Sequence, residues 1–153
     1  MPFYTRKSPR IPNYDYSNNN YYFLTLCTYG KKCIFGQLPE MNQLCTIVRE
    51  HIDNISDYHN GVMVDKYVVM PNHIHMILVL QKSNISVNYI VAFFKTGVTK
   101  QIRRQYPNMR VWQRSFHDHI IRNQKDYERI WEYIDTNPLR WNEDCFYQEF
   151  RAD

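Results

Sequence analysis

His73 and His75 stand two residues apart in the run His73-Ile-His-Met-Ile-Leu-Val-Leu80, which is rich enough in branched apolar residues to be read as a strand. Side chains alternate across a strand, so both imidazoles leave one face while Ile74 and Met76 leave the other. Two such imidazoles can share a metal ion or lie on a solvated sheet surface, and the spacing alone leaves both open. Tyr133 and Asn137 add a second pair. They lie four apart in a helical stretch, which sets a phenol and an amide oxygen on one helix face about a turn from each other. If that helix covers the histidine face, Asn137 can be a third, oxygen-donating ligand, with the Tyr133 hydroxyl beside the open positions of the ion. Two imidazoles and an amide oxygen suit Mg²⁺ or Mn²⁺, ions that keep places for phosphate oxygens. On the other side, in a chain with thirteen tyrosines any single one is more often packing than nucleophile.

The elements that must position these residues follow from periodicity. Residues 1–20, with three of the seven prolines and three consecutive asparagines, read as an extended N-terminal arm. A single domain is expected over 21–153. Its first strand is the aromatic and β-branched run 21–28, followed by a helix from 40 to about 55 with Leu44, Ile47, Val48 and Ile52 at spacings of three and four. Two strands, 62–69 and 73–80, flank the turn at Met70-Pro71-Asn72 and form a hairpin. A long helix from 85 to about 106 stops at Pro107, a short strand pair or bent strand occupies 111–122, and a last helix runs from 125 to 137 ahead of Pro138. Strand, helix, strand, strand, helix, strand is the order of a ferredoxin-like α+β sandwich: a βαββαβ antiparallel sheet with two helices on one face. The extra C-terminal helix, with the aromatic tail 141–150, is the material for the bare face.

Composition narrows the function classes. A length of 153 residues fits one domain, and 44% hydrophobic with 16% aromatic residues supports a core and excludes disordered or collagen-like chains. The apolar stretches fall short of the roughly 20 residues a membrane span needs, and the first residues lack a signal peptide's apolar stretch, so the protein is expected in the cytoplasm. Four cysteines without a CxxC pair read as reduced thiols. The net charge of +4 allows a polyanionic partner without requiring one. Lys95, Lys100, Arg103 and Arg104 are candidates for contacts to such a polyanion, with Arg114 and Arg122 nearer the histidine face, or else they form a solvated basic face. Trp112 and the tyrosines of the arm offer flat aromatic stacking surfaces, although core packing is the commoner use of any one aromatic.

Four stretches in order, Met70-Pro-Asn-His-Ile-His-Met76, Phe93-Phe-Lys95, 111–123 (Val-Trp-Gln-Arg-Ser-Phe-His-Asp-His-Ile-Ile-Arg-Asn) and Tyr133-Ile-Asp-Thr-Asn-Pro-Leu139, together resemble the single-tyrosine HUH transposases. Within them the resemblance is to the branch associated with repetitive extragenic palindromes, of the IS200-like transposase type; Tyr14-Asp-Tyr-Ser17 and Tyr22-Phe-Leu-Thr-Leu-Cys-Thr28 also fit it. It covers about residues 10 to 150. The resemblance implies that His73 and His75 are metal ligands, that Asn137 falls at the third ligand's place, and that Tyr133 is the nucleophile. It further implies cleavage of hairpin-forming single-stranded DNA through a 5′-phosphotyrosine, followed by strand transfer. His119 takes an orienting or phosphate-contact role. A monomer and a homodimer with the tyrosine helix supplied by the second copy both remain open. Three rivals stand beside this reading: a domesticated protein that binds hairpin DNA without cutting it, an unrelated histidine-metal hydrolase that uses activated water, and another HUH enzyme, a replication initiator or relaxase, against which the short length and single helix-borne tyrosine count.

Overall fold

The strand that carries both histidines, β3 (His73–Leu80), is buried at all eight of its residues because it runs through the middle of a sheet covered on both faces. The computed structural model describes residues 10–148. With β1 (Asn20–Cys27), β2 (Val62–Met70) and β4 (His117–Ile121), β3 forms a four-stranded antiparallel sheet in the order β2-β3-β1-β4. The helices are α1 (Gln43–Asp53), the single turn α2 (Ile55–Tyr58), α3 (Val87–Ile102) and α4 (Gln124–Thr136). This is the ferredoxin-like α+β arrangement that the order of elements predicts.

Alternation along the strands assigns the two faces. Leu24 and Leu26 of β1 and Ile74, Met76 and Leu78 of β3 pack with α1 and α3 in one core, which receives Leu44, Val48 and Ile52 from the first helix and Ile90, Phe94 and Val98 from the second. Phe23, Ile77, Val79 and Ile121 point the opposite way. They form a smaller cluster closed by Ile130 and Ile134 of α4, four apart on one helix face. The bare face is thus covered as the sequence suggests; Phe150, at the end of the expected tail, lies outside the described residues.

Three expected elements are shorter than predicted, among them the long helix, which ends at Ile102 and not near residue 106. The first helix breaks at Asn54 into α1 and α2. Of the two readings of 111–122, a strand pair or a bent strand, the pair is absent: β4 and one isolated bridge between Trp112 and Thr28 both lie along β1 and its end, an interrupted strand. The cause is local: Lys95 Nζ donates to the carbonyls of Gln113 and Ser115, both at 3.0 Å, so these oxygens serve an ammonium group and not a neighbouring strand. The part of the arm that is described packs on the helix side of the sheet. Arg10 Nη1 pairs with the buried Asp118 at 2.9 Å, its guanidinium covers Phe116, and Tyr16 is buried in the core. No described helix is long and apolar enough to cross a membrane, and Cys27, Cys33, Cys45 and Cys145 form no disulfide.

Candidate metal centre and nucleophile

The register of β1 against β3 sets His73 opposite Cys27 and His75 opposite Thr25, on the face that α4 covers. The two imidazole rings lie 4.6 Å apart between centroids, and both residues are buried, so they are not on a solvated surface. Each is held from behind. His75 Nδ1 is 2.8 Å from Thr25 Oγ1, and His73 Nδ1 is 2.8 Å from Asn72 Oδ1. Asn72 is itself oriented, because its amide nitrogen donates to the carbonyls of Lys31 and Phe146. Its Oδ1 can only accept, so His73 Nδ1 carries the proton and Nε2 presents a lone pair.

α4 brings the other members. Asn123 caps its start, its side chain accepting from Asp126 N at 2.8 Å, and Pro138 follows its end. The helix is clamped to β2 by Lys66, whose ammonium pairs with Asp135 at 2.8 Å and lies 3.9 Å over the Trp131 ring. On the side facing the histidines, the Tyr133 ring meets His75 at 5.3 Å and Phe23 at 6.2 Å. Asn137 is buried one turn on. Tyr127 takes a different direction: it packs on Tyr21 at 5.8 Å and donates to Asp65.

Three buried polar atoms in this group have no hydrogen-bond partner: His73 Nε2, His75 Nε2 and Asn137 Oδ1; the first and last are acceptors, and so is the second in the tautomer whose Nδ1 donates to Thr25 Oγ1. Leaving several such atoms unmatched together costs free energy unless something electropositive serves them all. The electrostatics agree. Burial lowers His73 to about 4 against the pull of the Asp144 carboxylate, and burial with the His73 charge holds His75 well below its ordinary value, so both rings are neutral lone-pair donors. The donor set fits a divalent ion. Burial, with the charges of Asp144 and Cys145, pushes the Tyr133 phenol well above its ordinary range, so it is protonated at neutral pH. Beside it opens a cleft of about 330 Å³ lined by Arg129, Glu132, Thr136, Arg140, Glu143 and Asp144.

Asp144 is the residue that sequence reasoning missed. Its carboxylate is fully buried, with Oδ2 3.8 Å from His73 Nε2 and 2.8 Å from Asn137 Nδ2. It comes from the irregular tail, where no period marks a residue as inward-facing; the one available signal is the acid pair Glu143-Asp144 set among Trp141, Phe146 and Tyr147, and nothing in the sequence says which of the two turns inward. The same tail lays Phe146 on His73 at 4.7 Å and Trp141 at 6.0 Å. Asn72 was legible only as part of the Pro-Asn-His turn, and its role in setting the His73 tautomer needs the fold.

The basic candidates divide. Lys100, Arg103, Arg104, Trp112 and Arg114 line one cleft, and an adjoining cleft adds Tyr29, Lys31 and Arg110 around the same Trp112 and Arg114. Lys95 lines the first cleft, but its ammonium is committed to two carbonyls, and burial lowers it to about 8. Trp112 is half-buried against Phe35 and Phe94. Arg122 is not brought to the histidines: it follows Ile121, which pairs with Tyr21, while His73 pairs with Cys27 at the other end of β1. His119 Nε2 bonds Asp126 Oδ2 at 2.7 Å, and Arg129 holds the other oxygen, so this histidine ties β4 to the first turn of α4.

Comparison with known proteins identifies the family. The family described as "Transposase IS200 like" matches residues 15–137, a span that includes His73, His75, Tyr133 and Asn137. An uncharacterized protein of Haemophilus influenzae is 35% identical over 93% of this chain and 93% of its own length. A REP-associated tyrosine transposase of Escherichia coli K12 is 28% identical over 50% of this chain and 44% of its own length. Among solved structures, a REP-associated tyrosine transposase bound to a REP hairpin superposes with a TM-score of 0.58 at 24% identity, covering 92% of this chain and 74% of that one, and so shares the fold.

Proposed function

Because the chain belongs to the IS200-like transposase family, we propose that it cleaves and rejoins hairpin-forming single-stranded DNA, with the Tyr133 phenol as nucleophile. The observation that carries this reading is the meeting of three unmatched buried acceptors, His73 Nε2, His75 Nε2 and Asn137 Oδ1, beside the Tyr133 ring. These three residues would hold Mg²⁺ or Mn²⁺. Such an ion, when bound, supplies positive charge to a phosphate whose negative charge grows in the transition state.

The protein's own part is positioning and proton control. Tyr133 Oη attacks phosphorus, an O–P bond forms, and the bond from phosphorus to the 3′ oxygen breaks. The phenol gives up its proton and the leaving oxygen takes one up, so the products are a 5′-phosphotyrosine and a free 3′-hydroxyl. Return of that hydroxyl, or of another, onto the same phosphorus regenerates Tyr133 and joins the strand. Since the buried phenol stays protonated in the absence of substrate, deprotonation belongs to the attack itself. Phe23 and His75 fix the ring's direction, while Arg129 and Arg140 line the cleft where a phosphate would lie. The clefts around Trp112 supply cations and aromatic faces for the unpaired strand.

The test is incubation with labelled single-stranded hairpin DNA and Mn²⁺, followed by a denaturing gel. A covalent protein–DNA adduct that Tyr133→Phe abolishes supports the reading. Tight hairpin binding with no adduct would instead support the binding-only alternative, and cleavage with no covalent product would support a water-using hydrolase.

A further inference from the structure

Asp144 and His73 face each other as two hydrogen-bond acceptors with no proton between them. The His73 proton sits on Nδ1, toward Asn72, so Nε2 offers a lone pair to a fully buried carboxylate oxygen 3.8 Å away. That distance is too long for a hydrogen bond, and two acceptors held together in a dry site repel. Two ligands each about 2.1 Å from one ion lie at most about 4.2 Å apart, so a shared cation accounts for the separation. Donor atoms of His73, His75 and Asp144 all fall within 4.8 Å of one another, so drawing the widest pair in by no more than about 0.6 Å brings the three onto one ion. The remaining contacts of the carboxylate point the same way. Asn137 Nδ2 donates to Oδ2 at 2.8 Å, which turns the amide so that its oxygen is the bare atom, and Phe146 N donates to Oδ1 at 2.8 Å.

We infer that Asp144 is the anionic ligand of the metal centre, joining His73, His75 and Asn137 in one donor set. Two neutral imidazoles and an amide oxygen carry no net charge, and hard divalent ions are held more tightly as the count of charged oxygen ligands rises. Asp144 also lies seven residues beyond Asn137, in the segment that turns back over the histidines, so ion binding through it ties this segment to β3.

The inference rests on the metal reading proposed above, and the experiment separates the two. Mn²⁺ binding to the full chain, without DNA, is measured by titration calorimetry for the wild type, His73→Ala, His75→Ala and Asp144→Asn. Asn at 144 retains an oxygen that can accept from Asn137, so the comparison reads the lost charge. The expected result is a weakening by about tenfold or more in Asp144→Asn and loss of binding in both histidine variants. Asp144→Asn within twofold of wild type, with binding lost in the histidine variants, overturns the role of Asp144 alone. Retention in all three overturns the metal centre. Asp144→Cys gives a second arm that does not depend on the Asn variant folding: a thiolate ligand shifts the Cd²⁺-to-Mn²⁺ preference strongly toward Cd²⁺, and an unshifted preference overturns the assignment.

Discussion

The Tyr133 ring meets the His75 ring edge-on, 5.3 Å between centroids with the planes at 62°, and both belong to the same chain. The contact is backed by a whole helix seated on its own sheet. Ile130 and Ile134 are buried against Phe23, Ile77, Val79 and Ile121, and Lys66 pins Asp135 from β2. Handing α4 to a second copy would first require lifting it off this cluster, at a cost of about 1.5–3 kcal/mol for each isoleucine exposed until the partner's helix takes its place. The expectation is cleavage in cis. A mixture of His75→Ala and Tyr133→Phe proteins should form no covalent adduct with hairpin DNA; recovery of adduct would show that the tyrosine helix is exchanged between copies.

Tyr133→Phe removes one oxygen and keeps the ring that packs on Phe23 and His75, so the thermal midpoint should hold while the adduct disappears. Tyr127 is the control. It lies about 120° around α4 from Tyr133 and is engaged with Tyr21 and Asp65, so Tyr127→Phe should retain the adduct. Adduct formation by Tyr133→Phe, read on a denaturing gel, would assign the nucleophile elsewhere.

Strand alternation was enough to set His73 and His75 on one face, and helical spacing was enough to set Tyr133 with Asn137, because both periods are local properties of the backbone. Which layer would cover the histidines followed from the leftover helix, and α4 does cover them. Asp144 was not legible, since an irregular segment has no period and its inward turn depends on Phe146 and Asn72 meeting across more than seventy residues. Lys95 shows the converse error. On a helix next to Lys100 it reads as one more solvent-facing cation, yet the loop after α3 folds back and presents two carbonyls to it. Arg122 likewise shares a segment with Arg114 but stands beyond the far end of β4, because a strand carries its two ends apart by about 3.3 Å per residue.

Metal should stabilise the fold, because the three unmatched acceptors are paired only when an ion is present. Saturating Mn²⁺ at 100 times the dissociation constant corresponds to about 2.7 kcal/mol, visible as a rise in the thermal midpoint that excess chelator reverses. His73→Ala and His75→Ala should each remove this rise and the cleavage activity while leaving hairpin affinity within a few-fold. A metal-induced rise that survives both substitutions would locate the ion at another site.

The basic clefts predict a separation between binding and stability. Lys100, Arg103 and Arg104 are exposed along one cleft, whereas the Lys95 ammonium is part-buried on Gln113 and Ser115. Neutralising the three exposed residues together should weaken hairpin binding and flatten its dependence on log salt by up to about 2 units, near 0.7 for each lost phosphate contact to a single strand. Lys95→Met should behave differently. It leaves two carbonyl oxygens without their donor, so it should lower stability by about 1–3 kcal/mol in urea unfolding, with little change in the salt slope. If instead Lys95→Met flattens the salt slope and the triple variant does not, the strand runs along the side of α3 that faces residues 113–115, and the exposed cluster is a solvated surface.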